Sequence, residues 1–206
     1  MIKKFPALAA DIFYINVGTE EQRKDLLKQA WDEHARNPKT VPLSNKGCWR
    51  SHFEYQNMGW LQDVIKQMVN EAGMYYQESD QMYKRKAKVF ASSEIQYWTN
   101  INEPGSLNRI HDHRLWQYVA VYYLQATGTG DIVFYNPVNI TESCNHFSPF
   151  VGPVSISPKD GDLLVFPAWL PHEVEVNTSN QHRINISMNI RFHPKPGFED
   201  AQNNIL

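Results

Sequence analysis

Ten residues near the end of the chain show its clearest structural pattern: Arg183-Ile-Asn-Ile-Ser-Met-Asn-Ile-Arg-Phe192. The even-numbered positions are all apolar and the odd-numbered positions are all polar. Because successive side chains of a β-strand point to opposite faces, this alternation predicts a strand with one apolar and one polar face. The polar face carries short Asn and Ser side chains rather than Lys and Glu, which favours a hydrated interior pocket over open solvent.

The segments before this strand predict helices first and strands afterwards. Thr19 and Gln22 have the spacing of a capping box for a helix over 20–36. A second apolar stripe predicts a helix over 58–77, and residues 38–57 between the two helices are expected to be irregular.

Short strands are predicted through the rest of the chain, most of them bounded by Gly, Pro and Asn. The predicted strands are 11–17, 88–99, 115–124, 132–135, 154–157, 163–166, 172–176 and 184–192. Residues 103–106 (Glu-Pro-Gly-Ser) are expected to form a turn. Helices followed by many short strands predict an α+β fold with a β-sandwich or barrel core.

The composition of the 206 residues excludes several functional classes. The chain has 22 acidic and 20 basic residues, a net charge of −2, so bulk charge gives no strong signal for nucleic-acid binding. Cys48 and Cys144 are its only cysteines, which excludes a disulfide scaffold and predicts a reducing compartment, the cytoplasm. No apolar run approaches the ~18 residues of a membrane span, and Pro6 and Asp11 interrupt the one signal-like stretch.

Two of the eight histidines are separated by one residue, in His111-Asp112-His113. On an extended chain their imidazoles would lie on the same side, with Asp112 on the other. Two imidazoles on one side of a strand suit a borderline divalent metal such as iron, zinc or copper. A single pair of this kind is weak evidence by itself, and leaves open both a metal site and two structural histidines.

His172 begins a predicted strand whose other residues on the same side, Val174 and Val176, are apolar. It could complete a set of three ligands, or it could be an ordinary core histidine. On the last strand, the polar face similarly allows two interpretations for Arg183: a solvent-exposed cation, or an interior cation that binds an anion.

Together these motifs resemble those of the Fe(II)/2-oxoglutarate-dependent oxygenases, most closely a group found in marine bacteria and phages. The similar segments, in chain order, are Ser44-Asn-Lys-Gly47 with Trp49, Trp98-Thr-Asn100 with Gly105, His111-x-His113, Tyr122-Tyr-Leu124, and Gly161-Asp-Leu-Leu-Val-Phe-Pro167 with His172 and Arg183. The resemblance covers most of the chain, and the order Gly…Phe-Pro…His…Arg is its most specific part.

The resemblance implies a double-stranded β-helix, a cupin-like jelly-roll with N-terminal helices packed on one sheet. It implies one domain over 1–206, with a mainly helical part (1–86), a jelly-roll core (87–193) and a tail (194–206). It further implies Fe(II), the co-substrates 2-oxoglutarate and O2, and oxidative decarboxylation of 2-oxoglutarate coupled to hydroxylation of a substrate.

The resemblance also implies the roles of individual residues. His111, His113 and His172 would bind the metal, and Arg183 would bind the 5-carboxylate of 2-oxoglutarate through a charge-assisted pair. The further contacts expected for 2-oxoglutarate are Asn185, Ser187, Tyr123 and Tyr118.

One departure from the superfamily leaves the second metal ligand open. Most members have His-x-Asp or His-x-Glu, whereas this chain has His113 at the second position. We expect an all-histidine site, and the alternative set is His111, Asp112 and His172, which requires a bulge at Asp112.

Two other functions compete with the oxygenase. One is a cupin-like three-histidine metalloenzyme that does not use 2-oxoglutarate, and the other is a non-enzymatic jelly-roll binding module. For the oxygenase, the substrate could be a small molecule or a protein side chain. The many Trp and Tyr residues would also suit a homodimer interface.

Overall fold

The computed structural model describes residues 3–7, 10–40, 45–79, 90–135 and 153–194. Its helices and strands in chain order are β1 (Lys3–Ala7), β2 (Ala10–Asn16), α1 (Glu20–Arg36), β3 (Asn45–Ser51), α2 (Gly59–Ser79), β4 (Phe90–His111), β5 (Tyr118–Gln125), β6 (Ile132–Phe134), β7 (Val154–Ile156), β8 (Asp162–Pro167), β9 (His172–Val174) and β10 (Arg183–Pro194). Apart from Pro194, the predicted tail lies outside the described residues.

The strands form one curled sheet in the order β1-β2-β8-β5-β10-β4-β9-β6-β7, and β3 pairs with β4 outside this path. Every described pairing is antiparallel. The long strand β4 pairs with β10 along most of its length and with β9 at its end, so it joins the large part of the sheet to the short strands. This architecture is the double-stranded β-helix that the family resemblance implies.

The alternation along β10 separates two environments. The even-numbered side chains are buried in the cluster that packs against the helices: Ile184, Ile186, Met188 and Ile190. The odd-numbered side chains are buried on the barrel side: Arg183, Asn185, Ser187 and Asn189. The predicted strand and its polar interior face are therefore confirmed.

The two helices cover the apolar side of the sheet. The capping box of α1 is present: Gln22 N–H donates to Thr19 Oγ1 at 3.2 Å, and Thr19 N–H donates to Gln22 Oε1 at 2.9 Å. An N-cap of this kind stabilises a helix by about 1 kcal/mol. On α2, Leu61 and Ile65 are fully buried in the cluster that contains the even-numbered residues of β10.

Two local predictions are wrong. Residues 45–51, expected to be irregular, form β3, and three strands of the predicted helical part thus join the sheet. Residues 103–106 do not end a strand: β4 continues through them. Lys46 pairs with Leu107 whereas Cys48 pairs with Asn102, so β4 bulges here, and the positive φ of Gly105 (81°) allows the bend.

No helix in the described part of the chain has both the length and the apolar character needed to cross a membrane.

Candidate functional site

A cavity of about 320 Å³ lies between the polar face of β10 and the short strands that close the barrel. Inward side chains of β4, β5, β9 and β10 line it, and β3 contributes Arg50. The volume is at the lower end of the roughly 300–1,000 Å³ typical of small-molecule sites. The polar residues that the sequence singled out are concentrated around this cavity.

Three histidines meet at one end of the cavity. His111 ends β4 and pairs directly with His172, the first residue of β9. His113 follows two residues later, and its N–H donates to the carbonyl of Ala168 at 2.8 Å. One ring nitrogen from each histidine lies within 4.8 Å of those of the other two. The structure therefore brings together the three histidines that the sequence predicts.

Hydrogen bonds fix the tautomers of these histidines. The Nδ1 atom of His111 is 2.7 Å from the carbonyl of Arg109, and that of His172 is 2.9 Å from the carbonyl of Leu170. The Nδ1 atom of His113 is 2.7 Å from Oδ1 of Asn189. Carbonyl oxygens only accept hydrogen bonds, so each Nδ1 carries the proton and each Nε2 keeps a free lone pair.

Burial keeps the three imidazoles neutral. Loss of solvation lowers the pKa of His111 and holds the pKa of His172 well below its usual range. Burial, followed by the neighbouring His111, lowers the pKa of His113 to about 4. Near neutral pH all three therefore offer the uncharged nitrogen that a divalent metal requires.

Asp112 lies outside this cluster of ligand atoms, although it lines the cavity. Its carboxylate forms an ion pair with Arg114, whose Nε lies 3.1 Å from Oδ2. The geometry thus groups the three histidines, whereas the Asp112 carboxylate, which the alternative ligand set requires, contacts Arg114 instead.

Arg183 lies one pleat beyond Asn185, past the end of the cavity opposite His113, and is only 1% exposed. Its Nη1 donates to the carbonyl of Thr129 at 2.7 Å and to that of Glu175 at 3.3 Å. Its Nη2 is buried with no hydrogen-bond partner among the described residues. Burial lowers the pKa of Arg183, but a guanidinium remains charged in proteins.

Asn185 and Ser187 form a hydrogen-bonded group with Asn100 between Arg183 and the histidines. Asn100 Nδ2 donates to Asn185 Oδ1 at 2.8 Å and to Ser187 Oγ at 3.1 Å. Ser187 Oγ also donates to Asn185 Oδ1 at 3.1 Å. With its oxygen engaged twice, Asn185 has its amide N–H groups available to a ligand in the cavity.

The two tyrosines predicted to contact the cofactor lie on opposite faces of β5. Tyr123 lines the cavity, and burial raises the pKa of its hydroxyl. Tyr118 instead packs against the apolar cluster on the helix side, with Ala120 and Tyr122. The prediction for Tyr118 is wrong because even-numbered and odd-numbered residues of β5 face opposite sides of the sheet.

Arg50 is a site residue that the sequence analysis missed. It lines the cavity from β3, and its Cζ lies 4.4 Å from the centre of the Trp98 ring. It was missed because β3 was not predicted. The signal available was short: the single aromatic Trp49, followed by the polar residues Arg50 and Ser51.

Comparison with known proteins finds one matching family model and several solved structures of similar fold. A family model described as "Putative 2OG-Fe(II) oxygenase" matches residues 96–189, which include the three histidines and Arg183. No curated protein sequence matches the chain. A Pseudomonas putida prolyl-4-hydroxylase is 13% identical with a TM-score of 0.62, over 88% of this chain and 92% of that chain.

Two further solved structures have the same fold. A prolyl hydroxylase from Trichoplax adhaerens, in complex with a hypoxia inducible factor peptide fragment, is 14% identical with a TM-score of 0.60, over 87% of this chain and 83% of its own. HygX from Streptomyces hygroscopicus, with nickel, 2-oxoglutarate and hygromycin B bound, is 10% identical with a TM-score of 0.56, over 87% and 82%. At these identities the likeness is one of fold.

Proposed function

We propose that this protein is an Fe(II)/2-oxoglutarate-dependent oxygenase that hydroxylates its substrate. One observation carries the proposal: three neutral imidazoles lie at one end of the row of inward residues on β10, and the buried guanidinium of Arg183 lies at the other. Its Nη2 has no hydrogen-bond partner among the described residues. The match of residues 96–189 to an oxygenase family model supports it.

The donor set fits a divalent metal of borderline softness. His111, His113 and His172 would bind Fe(II) through Nε2, since each Nδ1 is engaged with an oxygen acceptor. Fe(II) held by these three residues would supply a site for the co-substrate and O2. We favour this all-histidine set over one containing Asp112, because the Asp112 carboxylate is paired with Arg114. The site would then be one charge more positive than a site with a carboxylate ligand.

The opposite end fits a carboxylate. An unpartnered, buried guanidinium nitrogen is costly, and a bound carboxylate would remove that cost through a charge-assisted hydrogen bond. We assign to Arg183 the 5-carboxylate of 2-oxoglutarate, with Tyr123, Asn185 and Ser187 as additional contacts. Iron, 2-oxoglutarate and O2 together would supply oxidative decarboxylation to succinate and CO2 coupled to C–H hydroxylation.

The chain itself would position the reactants and limit access of water. Val119, Val121 and Ile132 provide apolar walls between the polar ends of the cavity. Asn189 holds the His113 ring in one orientation and one tautomer. These residues would fix where the co-substrate lies before the reaction begins.

The direct test is succinate formation by the full-length chain with Fe(II), 2-oxoglutarate and O2. We expect succinate even without the natural substrate, through uncoupled turnover. Iron-loaded protein that forms no succinate would contradict the proposal. If Arg183→Ala left metal binding and an activity intact, a three-histidine metalloenzyme independent of 2-oxoglutarate would be favoured. If a variant with alanine in place of His111, His113 and His172 still bound 2-oxoglutarate, a non-enzymatic binding module would be favoured.

The substrate that we propose is either a small molecule or a protein side chain. A cytoplasmic location, a homodimer and an origin in marine bacteria or phages stay predictions from the sequence.

A further inference from the structure

Arg50 is a cation at the cavity, and the part of the chain that the structure describes gives it no acidic partner. It lines the cavity, and none of the described residues forms an ion pair with it. Its Nε is buried and makes no hydrogen bond with any of them. Burial lowers the pKa of Arg50, although the guanidinium stays protonated. The described residues therefore desolvate part of the Arg50 guanidinium without giving it an opposite charge.

The position of Arg50 separates it from Arg183. Asn102 of β4 pairs with Arg183, whereas Asn100 pairs with Arg50, so Arg50 is one pleat closer to the histidines. Its guanidinium packs on Trp98, whose ring is nearly parallel to His113 at 5.9 Å between centres. Arg50 is also close enough to lower the pKa of both His111 and His113 after the larger effect of burial.

The charges around the cavity favour an anion beside Arg50. Of the described residues that line it, Asp112 is the only acid, and its carboxylate is ion-paired with Arg114. The three histidines are neutral ligands and add no negative charge. A divalent metal and the dianion 2-oxoglutarate would cancel each other, which leaves the positive charges of Arg50 and Arg183 in excess.

We propose that Arg50 binds a carboxylate group of the substrate, and that the substrate of this enzyme is accordingly a carboxylic acid. This inference rests on the proposed function, because it places the substrate between Arg50 and the metal. Stacking on Trp98 holds the guanidinium plane, which suits the planar, two-oxygen geometry of a carboxylate. The carboxylate belongs either to a small acid or to a peptide, and both sources present the same chemistry.

The experiment uses the full-length chain loaded with Zn(II) and saturated with 2-oxoglutarate, so that no turnover occurs. Its probes are a pool of N-acetyl-amino acids and the matching pool of N-acetyl-amino-acid amides, which differ only in the carboxylate. N-acetylated tripeptides with free or amidated C-termini form the second pair. Binding is detected by saturation-transfer NMR and quantified by calorimetry.

We expect members of one acid pool to bind and their amides to bind about 10- to 100-fold more weakly, as for loss of a charged hydrogen bond. Binding in the first pair only indicates a small acid, and binding in the second pair only indicates a peptide. Arg50→Met should weaken acid binding by the same factor and leave amide binding unchanged, and Arg50→Lys should give an intermediate loss. The matched control is Arg36→Met, because Arg36 is exposed on α1.

Four results would overturn the inference: no acid binds, acids and amides bind equally, Arg50→Met binds the acids as the unmodified chain does, or Arg50→Met weakens 2-oxoglutarate as strongly as the acids. The last would place Arg50 in the co-substrate site. Thermal unfolding and zinc content of each variant confirm that it is folded and loaded. A chain that distinguishes acids from amides but forms no succinate with iron would support Arg50 as an anion site and contradict the proposed oxygenase, so the two failures are distinguishable.

Discussion

The two faces of β10 belong to one strand and serve different purposes. On the helix side, Ile184 and Ile186 are fully buried among apolar residues. On the barrel side, Arg183 and Asn185 are almost as buried, but among polar groups and a cavity. Burial of apolar surface stabilises the fold, whereas burial of a charge has a cost unless a partner is present. The comparison teaches that equal burial can indicate stability on one face and a binding site on the other.

The largest expected effect tests whether the barrel side binds the metal through histidines alone. His113→Ala should remove stoichiometric Fe(II) or Ni(II) binding, because it deletes one of three nitrogen donors. Asp112→Ala should keep it, since the Asp112 carboxylate is paired with Arg114. Metal content measured after dialysis is the readout.

His34→Ala is the control from the helix side, where the His34 ring contacts Trp31 and Trp49. It should retain the metal. Loss of metal in Asp112→Ala, together with retention in His113→Ala, would establish the alternative ligand set instead.

The next effect compares neighbouring residues of β10 on its two faces. Ile186→Ala should lower the free energy of unfolding by about 2–5 kcal/mol, because it leaves a cavity in the apolar cluster. Ser187→Ala removes hydrogen bonds to Asn100 and Asn185 and should cost about 1 kcal/mol. Urea unfolding of both variants measures the difference.

For 2-oxoglutarate binding we expect the opposite order, with the larger effect from Ser187→Ala and the smaller from Ile186→Ala. Ser187→Ala should weaken 2-oxoglutarate binding measurably, and folded Ile186→Ala should bind it as the unmodified chain does. Equal losses of stability in the two variants would mean that the two faces are not energetically distinct.

A smaller effect is expected at the residue that orients His113. Asn189→Ala deletes the acceptor for His113 Nδ1–H and should lower metal affinity by about 10- to 100-fold. Metal titration monitored by calorimetry measures this change in affinity. Asn189→Asp keeps an acceptor and should restore most of the affinity. If Asn189→Ala bound metal as tightly as the unmodified chain, the hydrogen bond would have no role in orienting the ligand.

The sequence was sufficient to predict which face of a strand each side chain occupies wherever apolar and polar residues alternate over a long stretch. The ten alternating residues of β10 identified both its faces, and the spacing of His111 and His113 placed two rings on one side. Tyr118 was misplaced because β5 is apolar on both faces, so its composition does not reveal which residues point inwards.

Pairing partners were harder to predict than strand faces. Nothing local in the sequence indicates that His172 lies opposite His111, or that β3 brings Arg50 to the cavity, because both depend on contacts between distant segments. The predicted turn at 103–106 was a bulge in β4 for the same reason. The Pro and Gly of this segment signal a bend. That the strand continues through the bend is determined only by the pairing of β4 with β3 and with β9.

The smallest expected effect concerns Tyr14 of β2, whose hydroxyl donates to Asp162 Oδ2 at 2.7 Å. Burial, followed by this hydrogen bond, raises the pKa of Tyr14 to about 12 from its ordinary 10.0. Between these values the unfolded chain loses the proton and the folded chain keeps it, so the contribution of Tyr14 to stability is complete below pH 10.0 and declines as the pH rises towards 12.

Tyr14→Phe should therefore flatten the decline in unfolding free energy over that pH range, as measured by urea denaturation at a series of alkaline pH values. Phe13, its neighbour on the helix side, has no titrating group, and Phe13→Leu should leave the slope unchanged. An identical slope in the unmodified chain and in Tyr14→Phe would mean that neither burial nor the hydrogen bond to Asp162 raises the pKa of Tyr14. The polar contacts on the barrel side of β2 would then position side chains without adding to stability. The contrast between an apolar face and a polar face would hold only for the strands around the cavity.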